Sequence, residues 1–166
     1  MLLSLLLAAW PADTSGLHHL ELPALPVKKV RGVIDAGHGA PGNVGNHGCH
    51  CQEEQAHTRF VADFMAAALE ATGRFEVLRT RTGDATPKYA ARIAQAQQWK
   101  ADVIISLHSD ARGEAFAARL PSGEVCWQNP DAPGFAVLWN DEGAALAGRE
   151  KLGRAVGVRL REAGFV

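Results

Sequence analysis

The sequence of 166 residues lacks any apolar stretch long enough to cross a membrane and has only three cysteines. Its most apolar segment, residues 1–9, is far shorter than the roughly 20 residues of a transmembrane helix. The formal net charge is −1, which excludes the basic surface expected of a nucleic-acid-binding protein. No internal repeat is visible, which excludes a repeat architecture. The length instead fits one domain with a substantial core.

The N-terminal segment is almost entirely leucine and alanine. It resembles the apolar region of a secretory signal, with Pro11-Ala12 near a candidate cleavage point, although no Lys or Arg precedes it. We interpret residues 1–12 as a signal peptide and therefore expect an exported protein of the periplasm or cell envelope. No cysteine follows this segment, which argues against a lipid anchor there. Residues 13–29 show no clear periodicity and are interpreted as a linker.

The three cysteines are Cys49, Cys51 and Cys126, an odd number that leaves one unpaired in an exported protein. Cys49 and Cys51 are too close in sequence for an easy mutual bridge, so either could pair with Cys126. Alternatively, Cys49-His50-Cys51 could bind a metal, but two cysteine ligands make a poor structural zinc site. A cysteine hydrolase built on Cys49 or Cys51 is a further alternative, against which the lack of a matched Cys-His-Asn pattern argues.

A run of β-branched residues predicts a short buried strand over residues 30–35. The strand leads into Gly37-His38-Gly39, where the glycines allow a sharp turn of the backbone. One imidazole is thereby placed at the carboxyl end of a strand, the edge at which open α/β sheets bind ligands.

A second apolar run, residues 102–107, repeats this design because it leads into His108. Two strands that each present a histidine at the carboxyl end suit a shared metal, and a catalytic zinc takes three protein ligands. The pair Glu53-Glu54 opens an amphipathic helix between the two strands. A carboxylate on the buried face of that helix is costly unless it has a partner such as a metal. The alternative is that the glutamate binds no metal and is stabilised at the helix N-terminus by the helix dipole.

The predicted elements alternate between strand and helix, and the unbroken apolar run of residues 102–107 indicates a strand covered on both faces. The expected fold class is therefore α/β, a mostly parallel twisted sheet with helices on both faces. Residues 109–133 are expected to form a long excursion with little regular structure. The apolar stripe of the first helix includes Phe60 and Phe64, and the last helix turns Leu146 and Leu152 inward. Strands are predicted over residues 30–35, 75–80, 102–107 and 135–139, and helices over residues 53–71, 88–99 and 144–163.

With these blocks in place, the chain resembles the zinc-dependent N-acetylmuramoyl-L-alanine amidases of the amidase-3 type. The resemblance rests on Val33–Gly39, the glutamate that opens the helix, and Ile105–Ala111, and it extends more loosely over residues 134–163. It implies hydrolysis of the amide between N-acetylmuramic acid and L-alanine in peptidoglycan. Zinc would lower the pKa of its bound water toward about 7. A carboxylate must then move the water proton to the leaving amine.

The resemblance also implies a ligand set for the zinc, namely His38, Glu54 and His108. Glu54 is preferred to Glu53 because it matches the helical register of the family. Asp35 and Asp110, each close to a ligand histidine, could orient an imidazole or only end a strand. His57 lies on the same helix face as Glu54 and is a second-shell candidate or an alternative ligand, although packing is the simpler role.

The family places its catalytic glutamate on a later strand, so the resemblance puts that residue beyond Val166. The domain of residues 30–166 is accordingly expected to lack both the glutamate and the final strand of the sheet. This leaves an alternative function, a zinc-binding but inactive peptidoglycan-binding or regulatory domain. Whether an activator protein is a partner is not predicted by the sequence.

Overall fold

The computed structural model describes residues 24, 28–48, 51–83, 85–109, 114, 116–128 and 134–165. The chain divides into two compact units, of which one comprises residues 24–132 and the other includes residues 134–165. The predicted signal peptide and most of the predicted linker lie outside the described residues. Within the described ranges, no helix combines the length and the apolar character that a membrane span requires.

The larger unit is built on a parallel sheet of strands β1 (Val30–Ala36), β2 (Phe75–Arg79) and β3 (Val103–Leu107), in the order β2-β1-β3. Ala36 lies opposite Leu107, and the Gly37 N–H donates to the Leu107 carbonyl at 2.9 Å. Strands β1 and β3 therefore end level with each other, and the histidines that follow them reach the same edge of the sheet. The predicted α/β class with a parallel sheet is confirmed.

Helix α1 (Glu54–Ala71) packs on this sheet. It begins one residue after the predicted start and ends at the predicted residue. Contrary to prediction, Phe60 and Phe64 are exposed, by 51% and 73%. The buried stripe of α1 follows Glu54 at four-residue intervals and consists of small side chains, which lets the helix approach β1 closely. The phenylalanines lie two positions out of step with that stripe. The core comprises Ile34, Ala36 and Ala62, surrounded by Met65, Leu69, Val77, Ile105 and Leu107.

Helix α2 (Tyr89–Gln98) also forms where the sequence predicts a helix. Its buried residues are Arg92 and Ala96, whereas the apolar Ile93 between them is half exposed. The buried side of α2 thus carries a guanidinium, whose polar partners lie at the end of β1.

A hairpin of strands β4 (Phe116–Arg119) and β5 (Val125–Gln128) corrects the prediction of little regular structure in residues 109–133. The two strands are antiparallel and joined by a tight turn, in which the Gly123 N–H donates to the Leu120 carbonyl at 2.8 Å. Each strand has only four residues, too few to show a clear alternating pattern in the sequence.

A disulfide joins Cys51, just before α1, to Cys126 in β5, with Cα atoms 5.2 Å apart. The bond ties the hairpin to the segment that leads into α1. It removes the Cys51 sulfur both as a thiolate metal ligand and as a nucleophile, so the alternatives built on Cys51 are wrong. Cys49 lies outside the described residues.

The disulfide should stabilise the chain because it joins residues 75 positions apart and so restricts the unfolded state. We expect Cys51→Ala to lower the free energy of unfolding by about 2–4 kcal/mol, measured by urea denaturation. Reductant should destabilise the wild type but not Cys51→Ala, and equal sensitivity of the two proteins would contradict this pairing.

In the second unit, helix α3 (Leu146–Glu162) follows an irregular segment. The strand predicted over residues 135–139 does not form. Leu146 and Leu152, predicted to face inward, are 39% and 43% exposed, and the buried positions of α3 are Gly153 and Gly157. A Cβ atom added at Gly153 would lie 2.5 Å from the Trp139 ring. Gly153 therefore leaves room for the indole of Trp139, and an added Cβ at Gly157 would contact Val137 at 3.9 Å. A search for large apolar residues misses this use of glycine.

Candidate metal centre

His38 stands at the end of β1 in a conformation that few residues other than glycine adopt, with φ of +60°. Two hydrogen bonds hold the backbone there. The His38 carbonyl accepts from the guanidinium of Arg92, and the next N–H, of Gly39, donates to the Asn43 carbonyl at 2.8 Å. The ring presents Nε2 to Glu54, 3.1 Å from its Oε2.

Glu54 is the first residue of α1, and its side chain is only 1% exposed. Backbone N–H groups of Ser109 and Asn46 donate to its two oxygens at 2.8 and 3.0 Å. Burial raises the pKa of Glu54, but these two hydrogen bonds and the charges of His38 and His108 lower it by more, so the net shift is downward. The carboxylate is therefore held in its ionised form.

His108 follows β3 and completes the cluster. Its Nδ1 lies 3.2 Å from Glu54 Oε1 and 3.1 Å from His38 Nε2. The two imidazole rings meet edge to face, with centroids 4.8 Å apart. The structure thus brings together the three residues that the sequence predicts as ligands.

The donor set fits a zinc ion. One ligand atom from each of His38, Glu54 and His108 can be chosen so that all lie within 4.8 Å of one another. The closest pairs, at 3.1–3.2 Å, approach the roughly 3.4 Å that separates ligands in a tetrahedral zinc site. Two imidazoles and one carboxylate are a ligand combination of catalytic zinc sites, which leave the fourth position open.

Two glycines provide the space in which these side chains meet. A Cβ atom at Gly37 would lie 2.5 Å from the His108 ring. A Cβ atom at Gly45 would lie 2.7 Å from Glu54 and 2.8 Å from the His38 ring. A side chain at either position would therefore displace the ligands.

Gly45→Ala should destabilise the protein through both backbone conformation and crowding, since Gly45 has φ of +78°. Gly73 has φ of +72° but nothing within 4 Å of an added Cβ, so Gly73→Ala is a matched control for the backbone effect alone. We expect Gly45→Ala to cost about 1–3 kcal/mol more than Gly73→Ala in urea unfolding, the crowding contribution. Equal costs would mean that the cluster tolerates an added methyl group.

The predicted second-shell residue Asp35 has partners other than an imidazole. Its carboxylate accepts from the hydroxyls of Thr80 and Ser106 and pairs with Arg92 at 3.1 Å. Arg92 in turn donates to the carbonyls of Ala36 and His38. Asp35 therefore contacts His38 only indirectly, by holding the guanidinium that donates to the His38 carbonyl.

The remaining candidates occupy varied positions. His57 is partly buried, and burial lowers its pKa although the charge of Glu54 opposes the shift. Glu53 accepts a hydrogen bond from the side chain of Gln55, consistent with the choice of Glu54 for the centre. Asp110 lies outside the described residues.

The sequence assigned no role to Arg81 or Asn43, which both support His38. Arg81 is buried and donates to the carbonyls of Ala36 and Gly37, at 3.0 and 3.2 Å. The Asn43 side-chain oxygen lies 2.8 Å from His38 Nδ1. The position of Arg81 just after a strand was visible in the sequence, but these two carbonyls lie 45 and 44 residues away along the chain. Its further partners, Gln55 and Thr58, lie 26 and 23 residues away, so none of these contacts leaves a local signal.

Comparison with known proteins gives a consistent picture. The profile of a family described as N-acetylmuramoyl-L-alanine amidase matches residues 33–163. The N-acetylmuramoyl-L-alanine amidase AmiC of Escherichia coli O6:H1 is 32% identical over 91 residues, which cover 55% of this chain and 21% of that protein. The chain thus spans about a fifth of the length of this curated relative.

Solved structures with partial similarity carry the same description. The catalytic domain of CwlV, an N-acetylmuramoyl-L-alanine amidase from Paenibacillus polymyxa var. colistinus, is 30% identical with a TM-score of 0.47, over 51% of this chain and 48% of that one. AmiC2 of Nostoc punctiforme is 26% identical with a TM-score of 0.44, over 49% and 44% of the two chains.

Proposed function

Because the chain belongs to the N-acetylmuramoyl-L-alanine amidase family, we propose that it is a zinc hydrolase that cleaves the amide between N-acetylmuramic acid and L-alanine in peptidoglycan. The observation that carries the proposal is the cluster of His38, Glu54 and His108 at one edge of the parallel sheet. Its ligand types and spacing are those of a hydrolytic zinc site.

The three residues would hold the ion through His38 Nε2, His108 Nδ1 and a carboxylate oxygen of Glu54. When bound, zinc supplies a Lewis acid that lowers the pKa of water and polarises a carbonyl group. The N–H groups of Ser109 and Asn46 keep Glu54 oriented and ionised, so that it can act as a ligand. Proton transfer to the leaving amine falls to a group outside this triad, since all three side chains are used as ligands.

We also propose that the protein acts in the cell envelope. The disulfide between Cys51 and Cys126 supports this location, since such bonds persist in oxidising compartments. The proposed substrate, peptidoglycan, lies in the same place.

A second candidate is a domain that binds zinc and peptidoglycan without cleaving it. It is favoured by one observation: among the described residues, the metal-competent group contains a single carboxylate, Glu54, which would itself be a ligand. That cluster therefore contains no second carboxylate that could transfer a proton to the leaving amine.

Release of new L-alanine amino groups from purified peptidoglycan distinguishes the two candidates. An amidase should release them with zinc present, stop when a chelator removes the metal, and recover when zinc is added back. Zinc binding without release supports the second candidate. Release that survives chelation would sink the zinc mechanism in favour of metal-independent chemistry.

A further inference from the structure

A tight turn returns the chain to His38 immediately after β1. The Asn43 N–H donates to the Ala40 carbonyl at 2.9 Å, across Pro41 and Gly42. Proline at the second position and glycine at the third, here with φ of +79°, are the residues that a type II turn requires. The turn places the Asn43 amide 2.8 Å from His38 Nδ1, on the side of the ring away from the proposed metal.

The orientation of the Asn43 amide is fixed by a neighbour that can only donate. The backbone N–H of Gly45 lies 3.2 Å from Asn43 Oδ1, so the oxygen, and not the NH₂ group, must face it. The NH₂ group then donates to the hydroxyl of Tyr89 at 2.9 Å. A flipped amide would set its NH₂ group against the Gly45 N–H.

From this geometry we propose that Asn43 is a positioning residue that holds His38 in the tautomer protonated at Nδ1, and that Tyr89 locks the amide that does so. The same oxygen that accepts from Gly45 can only accept from His38, so Nδ1 must carry the hydrogen. The lone pair of Nε2 is thereby directed toward Glu54 and His108. The inference rests on the proposed function only in so far as it takes zinc to be the ion that His38 binds.

The tautomer decides whether the cluster is ready for a cation. With hydrogen on Nε2, His38 would donate to Glu54 Oε2, 3.1 Å away, and a metal would have to displace that hydrogen bond. With hydrogen on Nδ1, a lone pair faces a carboxylate oxygen and His108 Nδ1, an arrangement that a cation between them stabilises.

Helix α2 supports both ends of His38. Tyr89 holds Asn43 at the ring, and Arg92, one turn along the helix, donates to the His38 carbonyl. The Arg92 guanidinium lies 4.8 Å from the centre of the Tyr89 ring, so the two supports also contact each other. Loss of the Tyr89 hydroxyl should therefore loosen the amide without removing the ring from Arg92.

Nitrogen NMR of histidine-labelled, metal-free protein tests the tautomer directly, at a pH where the ring is neutral. Wild-type His38 should show hydrogen on Nδ1. Asn43→Ala should move the ring toward the Nε2 form, and Asn43→Asp, which keeps the acceptor oxygen, should restore the Nδ1 form. Tyr89→Phe should give a mixture. The control is Gln97→Ala, which removes an exposed side-chain amide from α2, the helix that carries Tyr89.

Titration with zinc alone provides the second readout. Asn43→Ala should weaken zinc binding roughly 10–100-fold, with rescue by Asn43→Asp and no change in Gln97→Ala. Wild-type His38 in the Nε2 form, or the Nδ1 form persisting in Asn43→Ala, overturns the inference. If the wild type binds no zinc but the tautomer responds as stated, the inference stands and the zinc function fails.

Discussion

His108→Ala should reduce the zinc content of the purified chain from about one ion to none that survives dialysis. The variant keeps only two of the three proposed ligands, His38 and Glu54, and two ligands make a poor zinc site. The substitution should leave the fold intact because the His108 side chain is 44% exposed and its removal opens no sealed cavity. The effect is therefore a specific loss of the ion.

Elemental analysis of wild type and variant measures the loss, and circular dichroism checks the fold. His47→Ala is the matched control, an exposed histidine in the segment between β1 and α1. It should retain a full complement of zinc. A folded His108→Ala protein that still holds one ion would place the metal elsewhere, and a folded wild type without zinc would refute the metal centre.

The parts of the fold that the sequence predicted well are those fixed by local pattern. Strands β1 and β3 are short apolar runs, and each leads directly into the histidine of the proposed centre. Parallel pairing then brings His38 and His108 together, since both strands end at one edge. Convergence of the two histidines was therefore predictable from the two strands, whereas the choice of Glu54 as the third ligand came from the family resemblance.

The face that α1 buries was not predictable in this way. Phe60 and Phe64 suggest one apolar stripe, and the small residues Thr58, Ala62 and Ala66 form another. Hydrophobicity favours the first stripe. Close approach to β1 selects the second, because small side chains let α1 lie near the strand and put the Glu54 carboxylate at the edge of the sheet.

The sequence does not identify which groups pair with each other in the network around His38. Arg92 and Asp35 are 57 residues apart, and their pairing depends on how α2 sits against the end of β1. A buried arginine at a helical position also contradicts the usual pattern of an apolar stripe. Such contacts become visible only once the tertiary structure is known.

Arg92→Met should lower the free energy of unfolding by about 3–5 kcal/mol at neutral pH, because it removes one partner of a buried ion pair. Arg92 is 2% exposed, and its guanidinium serves Asp35 and the carbonyls of Ala36 and His38. Methionine fills much of the same volume but donates no hydrogen bond. Urea unfolding of metal-free protein measures the change.

The matched control is Arg159→Met, which breaks an exposed pair with Glu162 and should cost at most about 1 kcal/mol. If Arg92→Met lowered the free energy of unfolding by no more than Arg159→Met, the buried pair would contribute little to stability. Asp35→Asn in the Arg92→Met background should recover part of the loss, since it removes the charge left without its cation.

The loss should also depend on pH. Burial raises the pKa of Asp35, but hydrogen bonds from Ser106 and Thr80 and the charge of Arg92 lower it by more, to below its usual 3.8. The ionised carboxylate therefore stabilises the wild type above pH 3.8, and this contribution is lost as the pH falls through the lowered pKa. Without Arg92, Asp35 protonates at a higher pH. The free energy of unfolding of the variant therefore falls less on acidification than that of the wild type. The difference in stability between wild type and Arg92→Met should accordingly narrow below pH 3.8, and a constant difference would indicate that Arg92 acts through its carbonyl contacts alone.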